Sequence, residues 1–198
     1  MDADYIFDKT REGFTFFEKQ FDVPYPFEKY DQLFVPEFNA GAMENAGAVT
    51  FTETYVFRSK VSDATKERRV VTILHELAHM WFGDLVTMKW WNGIWLNEAF
   101  ATFMEVAAVE SFRTEWQRWT SFSLERSAAF EVDSLVNTRS VEFAVRSPQD
   151  CEGMFDVLTY QKGGSLLRML EQYLGADRFR DGIRLYLNTH SYGNTETS

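Results

Sequence analysis

Residues 75 to 79 read HELAH and lie within RRVVTILHELAHMWFGDL, a stretch whose other positions are mostly apolar. Two imidazoles and a carboxylate are expensive to bury unless they are paired or bound to a metal, so this segment restricts the fold more than any other. The apolar positions Val70, Val71, Ile73, Leu74, Leu77 and Ala78 predict a packed helix over roughly 64 to 82, with Ser62 or Asp63 as its cap and Gly83 near its end. On such a helix His75 and His79 share a face, one turn apart. Both can aim a ring nitrogen at one ion, whereas Glu76 is offset around the axis and can reach a water beside that ion. This is the mechanical content of an H-E-x-x-H motif: two zinc ligands, His75 and His79, and a general base, Glu76.

A catalytic tetrahedral site takes a third protein ligand and keeps one position open. His190 is the one remaining histidine, 111 residues beyond His79. The metzincin continuation would require glycine and histidine where this chain has Phe82 and Leu85, which removes that subclass. A carboxylate from a second helix is the other source. The segment LNEAFATFMEVAAVESF, residues 96 to 112, reads as helical and sets Glu98, Thr102 and Glu105 on one face. Glu98 is the preferred third ligand, and Glu105 is a candidate acceptor for the outer nitrogen of a ligand histidine. Asp84 is the main rival to Glu98, although it follows His79 closely in sequence.

The rest of the chain supplies a setting for this site. Aromatic residues at helical spacing predict a helix over 9 to 20, ended by the prolines of FDVPYPF. KYDQLFVPEF reads as extended, FNAGAMENAGAV as a turn with backbone exposed for contact, and VTFTETYVF as a strand. GDLVTMKWWNGIW reads as a connection, with Trp81, Trp90, Trp91 and Trp95 expected to pack in the core or between helix and loop. Further helices are predicted over 114 to 130, about 154 to 173, and ADRFRDGIRLYLNTH, with a loop over 134 to 153. The expected fold is α+β, a small sheet element followed by a mainly helical body. The abrupt ends of the sequence suggest a piece of a larger protein.

The chain's 198 residues suffice for one domain of ordinary size, and 45% hydrophobic content with only four prolines argues against disorder. Twenty basic against thirty acidic residues, a formal charge of −10, disfavour a nucleic-acid partner and suit an amine-bearing one. Cys151 stands alone, so no intrachain disulfide can form, and the N-terminus lacks the pattern of a signal peptide. Cytoplasmic residence is therefore expected. No apolar run approaches the ~20 residues of a membrane span, so no direct membrane contact is expected from this segment.

GAMEN at 41 to 45, HELAHMWFGDLVTMKWWNGIWLNEAFA at 75 to 101 and TYQKG at 159 to 163 resemble, in order and separation, the catalytic core of a known zinc aminopeptidase family. That family, among the gluzincin metallopeptidases, includes the alanyl and leucyl aminopeptidases and leukotriene A4 hydrolase. The likeness runs over roughly residues 10 to 198. It implies a thermolysin-like catalytic domain over 1–198, with a substrate-binding loop and sheet portion at 1–60 and a zinc-binding helical portion at 61–198. It also implies that this domain is incomplete, lacking an amino-terminal and a carboxy-terminal domain as partners.

The resemblance implies one zinc ion on His75, His79 and Glu98, with Glu76 activating a zinc-polarised water and passing a proton to the leaving amine. Glu44 would bind the substrate's free α-ammonium. Gly41 and Ala42 would offer backbone to an extended peptide, as an edge strand does. Met43 would touch the first substrate side chain, and Tyr160 would donate its hydroxyl to the developing oxyanion. The expected activity is removal of N-terminal residues from peptides with a free N-terminus. An epoxide hydrolase of the leukotriene type and an inactive zinc-stabilised fragment are the alternatives, and an unaltered GAMEN argues against the first. The family usually has glycine after the zinc glutamate; this chain has Ala99, a change that a helix interior tolerates.

Overall fold

The computed structural model describes residues 2–197. Helix α1 (Asp2–Phe21) leads into a small sheet of β1 (Asp31–Val35), β2 (Ala42–Met43) and β3 (Ala48–Thr52). Then come α2 (Asp63–His79), β4 (Val86–Met88), α3 (Trp95–Phe112), α4 (Arg118–Asp133), α5 (Pro148–Glu152), α6 (Gly163–Leu174), α7 (Ala176–His190) and β5 (Gly193–Thr195). The chain is thus α+β, a small N-terminal sheet before a mainly helical body. Among the described residues no helix is long and apolar enough to cross a membrane.

In the sheet, β3 runs between β1 and β2, parallel to the first and antiparallel to the second. Its alternate residues Val49 and Phe51 are fully buried, as a one-sided strand requires. The strand is shorter than VTFTETYVF predicts. Thr52 caps a 3₁₀ turn over Glu53–Tyr55 and ends it. The GAMEN segment, read as a turn, contributes Ala42 and Met43 to the sheet and so places β2 at its edge.

Helix α1 starts earlier than its aromatic pattern predicts. Asp2 and Asp4 in its first turn suit the positive end of the helix dipole, and Asp2 also pairs at 2.7 Å with Arg69 of α2. Arg69 is buried, donates to the Tyr55 carbonyl at 2.9 Å and lies over the Phe57 ring at 4.0 Å. Further along α1, Phe17 and Phe21 are fully buried and meet Trp81. Gly13 lets Leu74 and Leu77 approach so closely that a methyl group there would stand 2.5 and 2.8 Å from their side chains.

Ser62 caps α2 by accepting from the Thr65 N–H at 3.2 Å. The helix ends at His79 instead of continuing to residue 82. Beyond it the chain curls: the amides of Asp84 and Leu85 bond back five residues, to the carbonyls of His79 and Met80. Gly83 takes φ +140 within this curl, a conformation that a side chain would resist. The connection after it holds β4, which pairs in parallel with β5. The segment YGNT therefore returns to the body. Trp81 is buried as expected, but Trp90 and Trp91 are exposed. They sit on the short turn before α3, where Trp90 is tied through its Nε1 to the Val145 carbonyl at 3.1 Å.

Helix α3 is apolar on nearly every face and buried almost throughout. The helix predicted over about 154 to 173 divides on top of it into a π-helical turn, Leu158–Lys162, and α6. Before it, part of the predicted loop forms α5, whose start carries a capping box of Ser147 and Asp150. Contact with α3 is made through glycines. A Cβ on Gly163 would lie 2.6 Å from the Ala99 Cβ, and one on Gly164 would lie 3.2 Å from Thr102 Cγ2.

Two outcomes follow from this packing. Gly163→Ala is expected to lower stability by about 1–3 kcal/mol through overpacking, and Ala99→Gly in the same chain to restore most of it; thermal midpoints of the two variants check this. For the Asp2–Arg69 pair, partial burial raises the Asp2 carboxyl, but hydrogen bonds from Arg69 and the Phe57 amide hold it below the ordinary range. A depressed folded value stabilises above the unfolded value near 4 and loses that contribution as pH falls through the folded one. Asp2→Asn should therefore melt below the parent at neutral pH, with the gap closing in acid.

Candidate active site

The last turn of α2 faces the first turn of α3, and three side chains meet there. His75 Nε2 and His79 Nε2 stand 3.0 Å apart, and Glu98 Oε2 lies 3.2 and 3.3 Å from them. The outer nitrogens are both engaged: His75 Nδ1 with Glu105 Oε2 at 2.9 Å, and His79 Nδ1 with the Phe82 carbonyl at 3.0 Å. A carboxylate and a carbonyl only accept, so each Nδ1 carries a proton, and in the neutral, metal-binding form of each ring Nε2 presents a lone pair inward. Three inward electron pairs this close repel unless a cation lies among them. Ligands of a tetrahedral zinc at about 2.0–2.1 Å from the ion are separated by about 3.3 Å, so the cluster is sized for a single metal ion. Glu76 Oε2, beside it, is buried without a hydrogen-bond partner, which suits a polar guest at the metal's open position.

The electrostatics make the same demand. Burial opposes charge on His75, yet Glu105 and Glu98 hold its pKa well above the ordinary value. Burial also opposes charge on His79, but Glu98 and Glu44 lift it to about 9. Glu98 would be raised by burial, and the two imidazoles hold it well below the usual carboxylate range instead. Every shift favours positive charge at the centre. Glu76 behaves differently: burial pushes it up to about 7, with His75 and His79 pulling back and Glu44 and Glu98 adding to the rise. Its proton affinity is that of a base poised near neutrality.

Glu44 closes one side of the cluster. It is half-buried just past β2, and its ligand atom lies within 4.8 Å of those of Glu76 and His79. Ala42 lies half-buried before it and Met43 is exposed, while the Gly41 carbonyl accepts the Thr52 amide at 3.0 Å. On the other side the Tyr160 ring stacks on His75, with centroids 5.8 Å apart and planes 21° apart. Burial and the neighbouring Glu98 carboxylate raise its hydroxyl far above the ordinary phenol value, so it stays a donor. Asp84 stands outside the ligand triad. Burial raises its carboxyl to about 7, His79 pulling it down and Glu44 adding to the rise. His190 lies beside Tyr186 near the end of α7, away from the cluster.

Sequence reasoning missed the clamp that sets Tyr160. Asp156 Oδ1 accepts the amides of Leu158 and Thr159 at 3.0 and 3.2 Å. Arg139 Nη2 in turn donates to Asp156 Oδ1 at 2.5 Å and to Thr159 Oγ1 at 2.8 Å. Arg139 comes from a stretch without periodicity, where no sequence signal marks it.

The chain is similar along nearly its whole length to a family model and to several curated proteins. Residues 5–198 match the family model described as the Peptidase family M1 domain. Aminopeptidase N of Streptomyces lividans is 52% identical over 201 aligned positions, covering 100% of this chain and 24% of that protein. Tricorn protease-interacting factor F2 of Thermoplasma volcanium is 47% identical, covering 98% of the chain and 25% of its own length. The leucyl aminopeptidase of Saccharolobus solfataricus is 45% identical, covering 96% and 24%. The chain thus spans about a quarter of the length of these curated relatives. With the HELAH helix, the glutamate on α3 and a family match over nearly every residue, the chain belongs to peptidase family M1, the gluzincin zinc aminopeptidases.

Proposed function

We propose that this chain is the catalytic core of a zinc aminopeptidase that removes N-terminal residues from peptides, one Zn²⁺ being held by His75, His79 and Glu98. The single observation that carries this reading is the triangle of two imidazole nitrogens and a carboxylate oxygen, 3.0–3.3 Å on its edges, with Glu44 against it. The names of the relatives, aminopeptidase N and leucyl aminopeptidase, support the substrate class. On this reading residues 1–198 belong to the catalytic domain of a longer polypeptide, 1–60 serving substrate binding and 61–198 the metal, with flanking domains completing the pocket.

Zinc in this position supplies Lewis acidity, polarising a carbonyl and acidifying a water. The remaining work falls to side chains. Glu76, with a proton affinity near neutrality, takes the proton from the attacking water and delivers it to the leaving amine. Tyr160, held protonated, donates to the oxygen on which negative charge develops. Glu44 pairs with the α-ammonium of the substrate and so fixes the chain end; a peptide anchored there presents its first peptide bond to Glu76. Ala42 at the sheet edge, with Gly41 before it, aligns the peptide backbone as an added strand would, and Met43 borders the first side chain. Glu105 holds the ring of His75 and thereby the aim of its Nε2.

In the intact protein, Glu98→Ala should abolish stoichiometric zinc, measured by atomic absorption after dialysis. Glu76→Gln should keep the zinc and lose about 10²–10⁴-fold in rate. An amino-acid amide with a free amine should be cleaved, while its N-acetylated form is left intact. Equal cleavage of the two would remove the exopeptidase assignment, and full activity in Glu76→Gln would remove its role as base.

A further inference from the structure

Behind Glu105, on the side away from His75, lies a group of buried and half-buried charges that the proposed reaction does not use. Glu105 divides its two oxygens: Oε2 accepts from His75 Nδ1 at 2.9 Å, and Oε1 faces Arg118 Nη2 at 3.7 Å. Arg118 is only 5% exposed. Its Nη1 donates to Glu125 Oε1 at 2.7 Å, and its Nε lies 4.0 Å from Glu67 Oε1 without a hydrogen-bond partner. One guanidinium is thus enclosed by three carboxylates. Burying such a group costs several kcal/mol unless its surroundings compensate, and an anchor for α4 alone could have been placed at the surface.

The backbone is shaped to bring Arg118 there. Gln117, immediately before α4, takes φ +47 and ψ 51, a left-handed conformation unfavourable for a side chain other than glycine. The first amide of the helix, that of Arg118, is caught at 2.8 Å by the Glu110 carboxylate of α3. Both features fix where α4 begins relative to the helix that bears Glu98 and Glu105. They place the guanidinium on the side of Glu105 opposite His75.

We infer that Arg118 is a positioning residue of the metal centre, acting through Glu105. It holds the Glu105 carboxylate in the orientation that receives the Nδ1 proton of His75, which fixes the tautomer and directs the Nε2 lone pair at the ion. Without the guanidinium, Glu67, Glu105 and Glu125 face one another uncompensated, and Glu105 turns away from the imidazole. The planar fork of arginine, reaching Glu125 and Glu105 with separate nitrogens, suits this role better than a lysine. The inference rests on the reading of His75, His79 and Glu98 as a zinc site.

The test is a double-mutant cycle on metal binding in the intact protein: Arg118→Met and Arg118→Lys, each alone and with Glu105→Gln. Zinc affinity is measured by competition with a chelating dye, and the Co²⁺-substituted proteins are compared by visible absorption. Arg118→Met should weaken zinc binding about 10-fold or more, within the range for groups that orient metal ligands, and should alter the Co²⁺ spectrum. Arg118→Lys, which keeps the charge but not the planar fork, should lose less than Arg118→Met and still bind more weakly than the parent. In the Glu105→Gln background neither substitution should weaken zinc further. Undiminished affinity and an unchanged spectrum in the Arg118 variants, or losses that multiply with that of Glu105→Gln, would overturn the inference and leave Arg118 a role in folding alone. Should Arg118→Met fail to fold, the lysine arm of the cycle decides by the same criterion. A parent protein that binds no zinc would overturn the metal-site reading together with this one.

Discussion

Mutual repulsion among three electron pairs, gathered where little water reaches, is the constraint on which the rest of this structure depends. His75 Nε2, His79 Nε2 and Glu98 Oε2 come within 3.3 Å of one another at the junction of two helices. That arrangement is unfavourable without positive charge, from a metal ion or a proton, at its centre, yet α2 and α3 form the centre of the core. The protein therefore joins its packing to its chemistry. Apolar residues such as Val70, Leu74, Met104 and Val106 hold the helices together, and the site they enclose is completed by positive charge. Removing water raises the demand, because the same burial that excludes competing ligands weakens the screening between the donors.

Around that junction the chain departs from regular structure. Helix α2 stops at His79, and the Phe82 carbonyl is thereby free to receive the His79 Nδ1 proton. Gly83 makes that curl possible at φ +140. The π-turn at 158–162 puts Tyr160 over His75, and the tight contact between Gly163 and Ala99 presses the turn against the helix that bears Glu98. Each departure orients a group that the metal site or its immediate neighbours use. Irregular backbone of this kind is concentrated where function needs it and is supported by regular elements nearby.

The same division explains what the sequence made legible. The H-E-x-x-H pair is visible because helical geometry turns a spacing of four into one shared face, and Glu98 is visible because LNEAFATFMEV is helical and nearly without charge. Glu105 follows from Glu98 by two helical turns. What could not be read depends on specific side-chain hydrogen bonds, near or far in sequence, that periodicity does not encode. The early end of α2 is set by a side chain bonding to a carbonyl three residues on, and the division of the helix over 154–173 by Asp156 and Arg139 gripping its first turn. Trp90 and Trp91, whose aromatic character predicts packing, are exposed at the start of a 3₁₀ turn whose far end, Gly93 and Ile94, is buried. The edge position of GAMEN is a fact of strand order, which periodicity does not encode.

Charge ties substrate selection to catalysis on the proposed reading. Glu44 and Glu98 both raise the proton affinity of Glu76 against the pull of the two histidines. A metal ion neutralises Glu98, and an ammonium group seated on Glu44 neutralises the second carboxylate. A peptide with a blocked end brings no such charge: it leaves Glu44 uncompensated beside Glu76 and fails to fix the position of its first bond. On that reading a preference for a free amine would arise twice, once in binding and once in the electrostatic state of the base. The formal charge of −10 on these 198 residues has the sign that attracts a cationic chain end.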